Sequence, residues 1–157
     1  MKIKLLILFV AVASALNSAS AQTLNLFTAA RSNDVNLAKT LLNAKADVNQ
    51  TDDKGYTPLI LATYNDSFEV ADFLLKHGAN TEAKDHSGRT ALMGVAFKGY
   101  EREVKLLLDN GANARAVDSK GITSMMYAVI SGQISVIRVL RTEKAARPTT
   151  AQASNTQ

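Results

Sequence analysis

Apolar side chains recur at the spacing of an amphipathic helix in Val70, Phe73 and Leu74, and again in Val104, Leu107 and Leu108. A shorter run dense in Ala, Leu and Met precedes each of them, and a further such run follows around Met125–Ala128. The pattern predicts helices in pairs, a short first helix and a longer second one. It also repeats. Asp52, Asp85 and Asp118 are 33 residues apart, as are Gly55, Gly88 and Gly121, and Thr57, Thr90 and Thr123. Leu59, Leu92 and Met125 keep the same step, and so do Gly78 and Gly111. One register earlier, Leu26, Ala29, Leu41, Leu42 and Ala46 still match their columns. The chain therefore divides into four units, 22–51, 52–84, 85–117 and 118–145, within one repeat domain over 22–145.

Local chemistry explains the columns. Each Asp opens a tight turn, with Gly three residues on. Each Thr stands before a helical run, where its hydroxyl can cap free backbone N–H groups. Pro58 takes the first helical position, where its missing donor costs nothing; Ala91 and Ser124 stand there in later units. Between the helices the column reads Asn33, Asp66, Gly99 and Gly132, residue types that tolerate a left-handed backbone. Gly78 and Gly111 are expected to close the second helix in that conformation.

A 33-residue period with this content resembles the ankyrin repeat, a β-turn followed by two antiparallel helices. The residues that carry the resemblance are DDKGYTPLILA at 52–62 and EVADFLLKHGAN at 69–80, with DHSGRTALMGVA at 85–96, EVKLLLDNGAN at 103–113 and DSKGITSMMYA at 118–128. The resemblance implies an all-α solenoid with projecting turns. Where the family often has His after Thr-Pro-Leu, this chain has Ile60, Met93 and Met126. Lys45 replaces a glycine in the first unit, and Arg141 and Glu143 enter the last helix. Such irregularities are expected of end units, which meet water on one side.

The N-terminus reads differently. Lys2 and Lys4 precede an apolar run, Leu5–Ala13, and Ala19-Ser20-Ala21 follows a polar step. That is a secretory signal peptide over 1–21 with cleavage before Gln22, and it places the protein in a periplasm or outside the cell. A membrane span needs about 20 apolar residues, and Asn17 and Ser18 interrupt this run. At the other end, 146–157 is a polar tail expected to stay disordered.

Composition narrows the chemistry. Of 157 residues, 46% are hydrophobic and 20% charged, an ordinary globular balance. The formal charge of +4 loses Lys2 and Lys4 with the leader, and no concentrated basic stretch remains to read nucleic acid. Cysteine is absent, which removes disulfides, thiolate zinc sites and a cysteine nucleophile. With His77 and His86 the only histidines, no cofactor, metal or catalytic centre is expected. His77 precedes a helix-ending glycine and is expected to meet the carbonyls there. Met93, Met125 and Met126 follow core columns, and Tyr127 is an unusual core residue whose hydroxyl needs a partner.

The positions that vary between copies are more informative. By the resemblance, turn tips and one flank of the first helix form the contact face: Asp53, Lys54, Tyr56, Tyr64 and Asn65, then His86, Arg89, Phe97 and Lys98, then Lys120, Ile122 and Ile130, with Arg31 from the first unit. Tyr56, Tyr64, Arg89 and Phe97 are types enriched at binding hot spots, expected to form one patch. The expectation is a non-catalytic protein-binding module, monomeric alone. The resemblance extends to small exported bacterial ankyrin-repeat proteins and implies a role in oxidative-stress defence. An immunity-type inhibitor of a periplasmic toxin or hydrolase, or an effector acting on host proteins, would use the same face.

Overall fold

The computed structural model describes residues 24–146; the expected signal peptide at 1–21 and the tail beyond Ala146 lie outside them. Among the described residues the fold is all-helical, with eight helices in four pairs. They are α1 (Leu26–Ser32) with α2 (Val35–Asn43), α3 (Pro58–Tyr64) with α4 (Phe68–Lys76), α5 (Ala91–Lys98) with α6 (Glu101–Asp109), and α7 (Ser124–Ile130) with α8 (Ile134–Ala146). First helices pack on first helices and second on second, so the pairs form two rows in chain order. The 33-residue period is thus a spatial period: residues of one column meet across neighbouring units.

Small side chains let the rows approach. Ala29, Ala62, Val95 and Ala128 occupy one column of the first-helix row and are all fully buried. Leu74, Leu107 and Leu140 play the corresponding role in the second row. The left-handed column is as the residue types predict, with φ of 54° at Asn33, 59° at Asp66, 81° at Gly99 and 70° at Gly132. Lys45, in the column of Gly78 and Gly111, adopts φ of 67° despite its side chain. Thr57 and Thr123 cap their helices by accepting from the N–H of Ile60 and Met126. Thr90 makes no such bond, so the capping expectation fails in that unit.

The turns show why Asp and Gly are needed. In the second, third and fourth units one carboxylate oxygen accepts two backbone N–H groups: Asp52 from Lys54 and Tyr56, Asp85 from Ser87 and Arg89, Asp118 from Lys120 and Ile122, all at 2.8–2.9 Å. These aspartates hold turns. At Gly88, φ is +76° and an added Cβ would lie 2.7 Å from the backbone N of Ser119. The closeness arises because the turns are stitched tip to tip, His86 N–H donating to the Lys54 carbonyl and Ser119 N–H to that of Ser87. Side chains add a second seam: Asn49 accepts from the N–H of Asn80 and Glu82 from that of Asn113, the same bond one unit on.

The two ends differ. In the first unit, Leu26, Ala29 and Ala30 are buried, while Asn36, Lys39, Thr40 and Asn43 on α2 face solvent. In the last unit Met126 is 51% exposed and Val129 58%, although their column mates Met93 and Ala96 are 1% and 0% exposed. Met126 therefore follows a core column without being core, because no unit packs beyond α7 among the described residues.

Candidate functional site

Along the first-helix row, the turns and helix flanks of successive units line a cavity of about 390 Å³. Tyr56, Tyr64 and Asn65 reach it from the second unit, and Arg89 and Phe97 from the third. Tyr127 closes it from the fourth, and Arg31 stands at the edge contributed by the first. The column pairs Tyr56/Arg89 and Tyr64/Phe97, 33 residues apart in sequence, are thus brought to one place. Tyr64 and Phe97 are 44% and 45% exposed, against a floor of nearly buried Ile60 and Met93. Large aromatic side chains left half in water beside an apolar floor are the form of a recognition surface.

Ring contacts fix the walls. Phe97 meets Tyr127 edge to face, centroids 6.3 Å apart, a geometry that aromatic quadrupoles favour. The Lys98 ammonium lies 4.4 Å from the centre of the Tyr64 ring. The Tyr127 hydroxyl donates to Asp118 Oδ2 at 2.7 Å, which supplies the partner its sequence position requires. Burial and the bond to Asp118 push the Tyr127 phenol above its usual range. Hydrogen bonds from the Ile122 N–H and from Tyr127 hold the Asp118 carboxyl below its own.

Arg89 is committed to partners on two units. Its Nε and Nη2 both lie 2.8 Å from Asp85 Oδ2, and Nη2 donates to the Tyr56 hydroxyl at 3.3 Å. The hydrogen bond to Asp85 raises the guanidinium pKa further. Arg89 is a rigid, neutralised wall, tied to a residue of the preceding unit. Asn65 is also partly committed, its side-chain amide donating to the Leu61 carbonyl at 2.7 Å.

The remaining predicted contact residues lie around this centre. Asp53, Lys54, His86 and Lys120 are exposed on the turn tips, and Lys98 is exposed at the end of α5. Ile122 is half-buried. Ile130, 67% exposed, ends α7 and is not among the cavity's walls. Sequence reasoning passed over Gly94 and the floor residues Ile60 and Met93 as part of the site. The column of Gly94, which reads Thr28, Leu61, Gly94, Tyr127, carried a signal: a glycine inside a helix where the other units have larger side chains. His77 accords with its sequence reading, with Nδ1 2.7 Å from the Phe73 carbonyl. Among the described residues no three acidic or histidine side chains are grouped to hold a metal, and no helix is long and apolar enough to cross a membrane.

Stacked helix pairs with stitched turns and a walled hollow on the first-helix side define a repeat solenoid. The chain belongs to the ankyrin-repeat family: the family model for ankyrin repeats, in three copies, matches residues 3–85 and 79–152. A search of curated proteins gave no match. Ankyrin repeats are in general protein-interaction modules, typically without catalysis.

Proposed function

We propose that this chain is an exported, non-catalytic module that binds a partner protein through the face built by its turns and first helices. One observation supports the reading above the others: Tyr64 and Phe97 stand half-exposed in adjacent units on the walls of one cavity. Hydrogen-bonded turn tips make the face rigid before the partner arrives, so little ordering cost is added on binding. The effect on the partner is occlusion or stabilisation, with no covalent step. A role in oxidative-stress defence is what the resemblance to small exported ankyrin-repeat proteins offers for that partner.

Truncating a central aromatic hot spot costs about 2 kcal/mol or more, roughly thirtyfold in affinity. Tyr64→Ala and Phe97→Ala are expected to lose that much toward the partner captured from the exported fraction, with melting temperature and helicity nearly unchanged. Lys76, exposed on α4 and paired with Asp72, and Asp109, exposed at the end of α6, serve as controls. Their alanine variants are expected to bind and melt as the parent does. Full binding by both aromatic variants would place the contact elsewhere. Export is checked separately by intact mass: the exported protein is expected to begin at Gln22, and a form retaining Met1 would overturn the signal-peptide reading.

A further inference from the structure

Gly94 lies inside α5, and glycine is a poor helix former. Neither usual requirement for glycine applies. Its φ is not positive, and an added Cβ would meet only Tyr64 Cδ2, at the ordinary contact distance of 3.4 Å. The preceding and following units fill the same column with Leu61 and Tyr127. What the missing side chain provides is space: a notch between Leu61 and Tyr127 in the wall of the cavity, with Tyr64 and Phe97 beside it.

The notch is apolar, and its edge is cationic. Asp85 is the one acidic residue lining the cavity, and Arg89 already neutralises it. Arg31 is exposed on the edge with no ion-pair partner among the described residues. The Lys98 ammonium is held over the outer edge by the Tyr64 ring. A large apolar side chain flanked by carboxylates satisfies both features at once. Apolar burial supplies affinity, and the charges set orientation and on-rate.

We propose that the partner docks by a short acidic segment that inserts one large apolar side chain into the Gly94 notch, its neighbouring carboxylates meeting Arg31 and Lys98. The inference rests on the reading of this face as the contact face and goes on to name the chemistry it selects.

The test uses the full chain and a random-peptide phage library, followed by fluorescence polarisation with the enriched peptides. Enriched sequences are expected to carry one Leu, Ile, Phe, Tyr or Trp next to Asp or Glu. Gly94→Leu, which fills the notch, and Arg31→Glu, which alters only an exposed charge, are each expected to weaken binding tenfold or more. Gly94→Ala is expected to weaken it less and to melt no lower than the parent, so that a folding defect in the leucine variant cannot imitate the result. Peptides without acids, or binding indifferent to Gly94→Leu and Gly94→Ala, would overturn the inference. If such peptides are still lost with Tyr64→Ala and Phe97→Ala, the contact face itself stands. If they tolerate those changes as well, both readings fall.

Discussion

Leu107→Ala is expected to remove about 2–5 kcal/mol of unfolding free energy, through lost burial and the cavity left behind. Domains of this size are stable by only about 5–15 kcal/mol, so the variant should unfold at a much lower urea concentration. Leu107 is fully buried on α6, in the column of Leu41, Leu74 and Leu140. In a solenoid each unit touches only its neighbours, and stability is close to a sum of unit and interface contributions. The helix of Leu107, α6, packs on both α4 and α8 within the second-helix row. Leu41 is half-buried on α2, the end helix of that row, whose row neighbour is α4. Leu41→Ala is therefore expected to cost clearly less than Leu107→Ala. Urea unfolding of the two variants, with slopes compared to verify a single transition, decides the matter. Equal midpoints would mean that the interior interfaces do not carry the stability. Partner binding by still-folded Leu107→Ala should be unchanged, because the residue is in the other row from the cavity.

What was legible in the sequence is what depends on neighbours a few residues away. The turns at Asp52, Asp85 and Asp118 are made by each Asp with N–H groups two and four residues on, and that chemistry is written locally. The left-handed positions at 33, 66, 99 and 132 follow from residue type in the same way. Because one unit repeats, the site was partly legible too: equal columns must be neighbours, which put Tyr64 beside Phe97. What was missed depends on contacts between columns. The commitment of Arg89 within the patch is not visible in its residue type, because its tie to the Tyr56 hydroxyl crosses from one unit to another. Met126 looked like core because its column is core wherever a following unit exists. Gly94 belongs to the site through the side chain it lacks, and the search for hot-spot residue types does not register an absence. Glu103 was missed for the opposite reason. It fills the column of Leu37, Val70 and Val136, and the apolar spacing of α6 was read around it through Val104, Leu107 and Leu108.

Glu103→Leu is expected to stabilise the fold at neutral pH by about 1–3 kcal/mol, the usual cost of a buried polar atom left without a partner. Glu103 is 2% exposed, and its Oε1 has no hydrogen-bond partner. Burial pushes its carboxyl above the usual carboxylate range; a hydrogen bond with the Asp66 carboxyl and the like charge of Asp66 raise it further. The Glu103 backbone N–H and the Arg102 guanidinium act in the other direction and are outweighed. Asp66 is the left-handed residue between α3 and α4, so the carboxyl pair spans the joint between the second and third units. The sign of the pH dependence follows. Between the ordinary glutamate pKa and the raised native one, the folded chain holds a proton that the unfolded chain has released. Stability then falls as pH rises through that window, and stays lower above it. Other carboxylates work oppositely: Glu69, Glu101 and Asp118 are held below their usual range, so their contribution is lost as pH falls. The informative quantity is thus the difference between parent and variant, in which the unchanged groups cancel. That difference should be smallest at and below the ordinary glutamate pKa and grow in favour of Glu103→Leu as pH rises through the window. Urea midpoints measured across that range check it. A constant difference would mean that Glu103 does not titrate abnormally, and a variant less stable than the parent at neutral pH would mean that the carboxyl supports the joint it occupies.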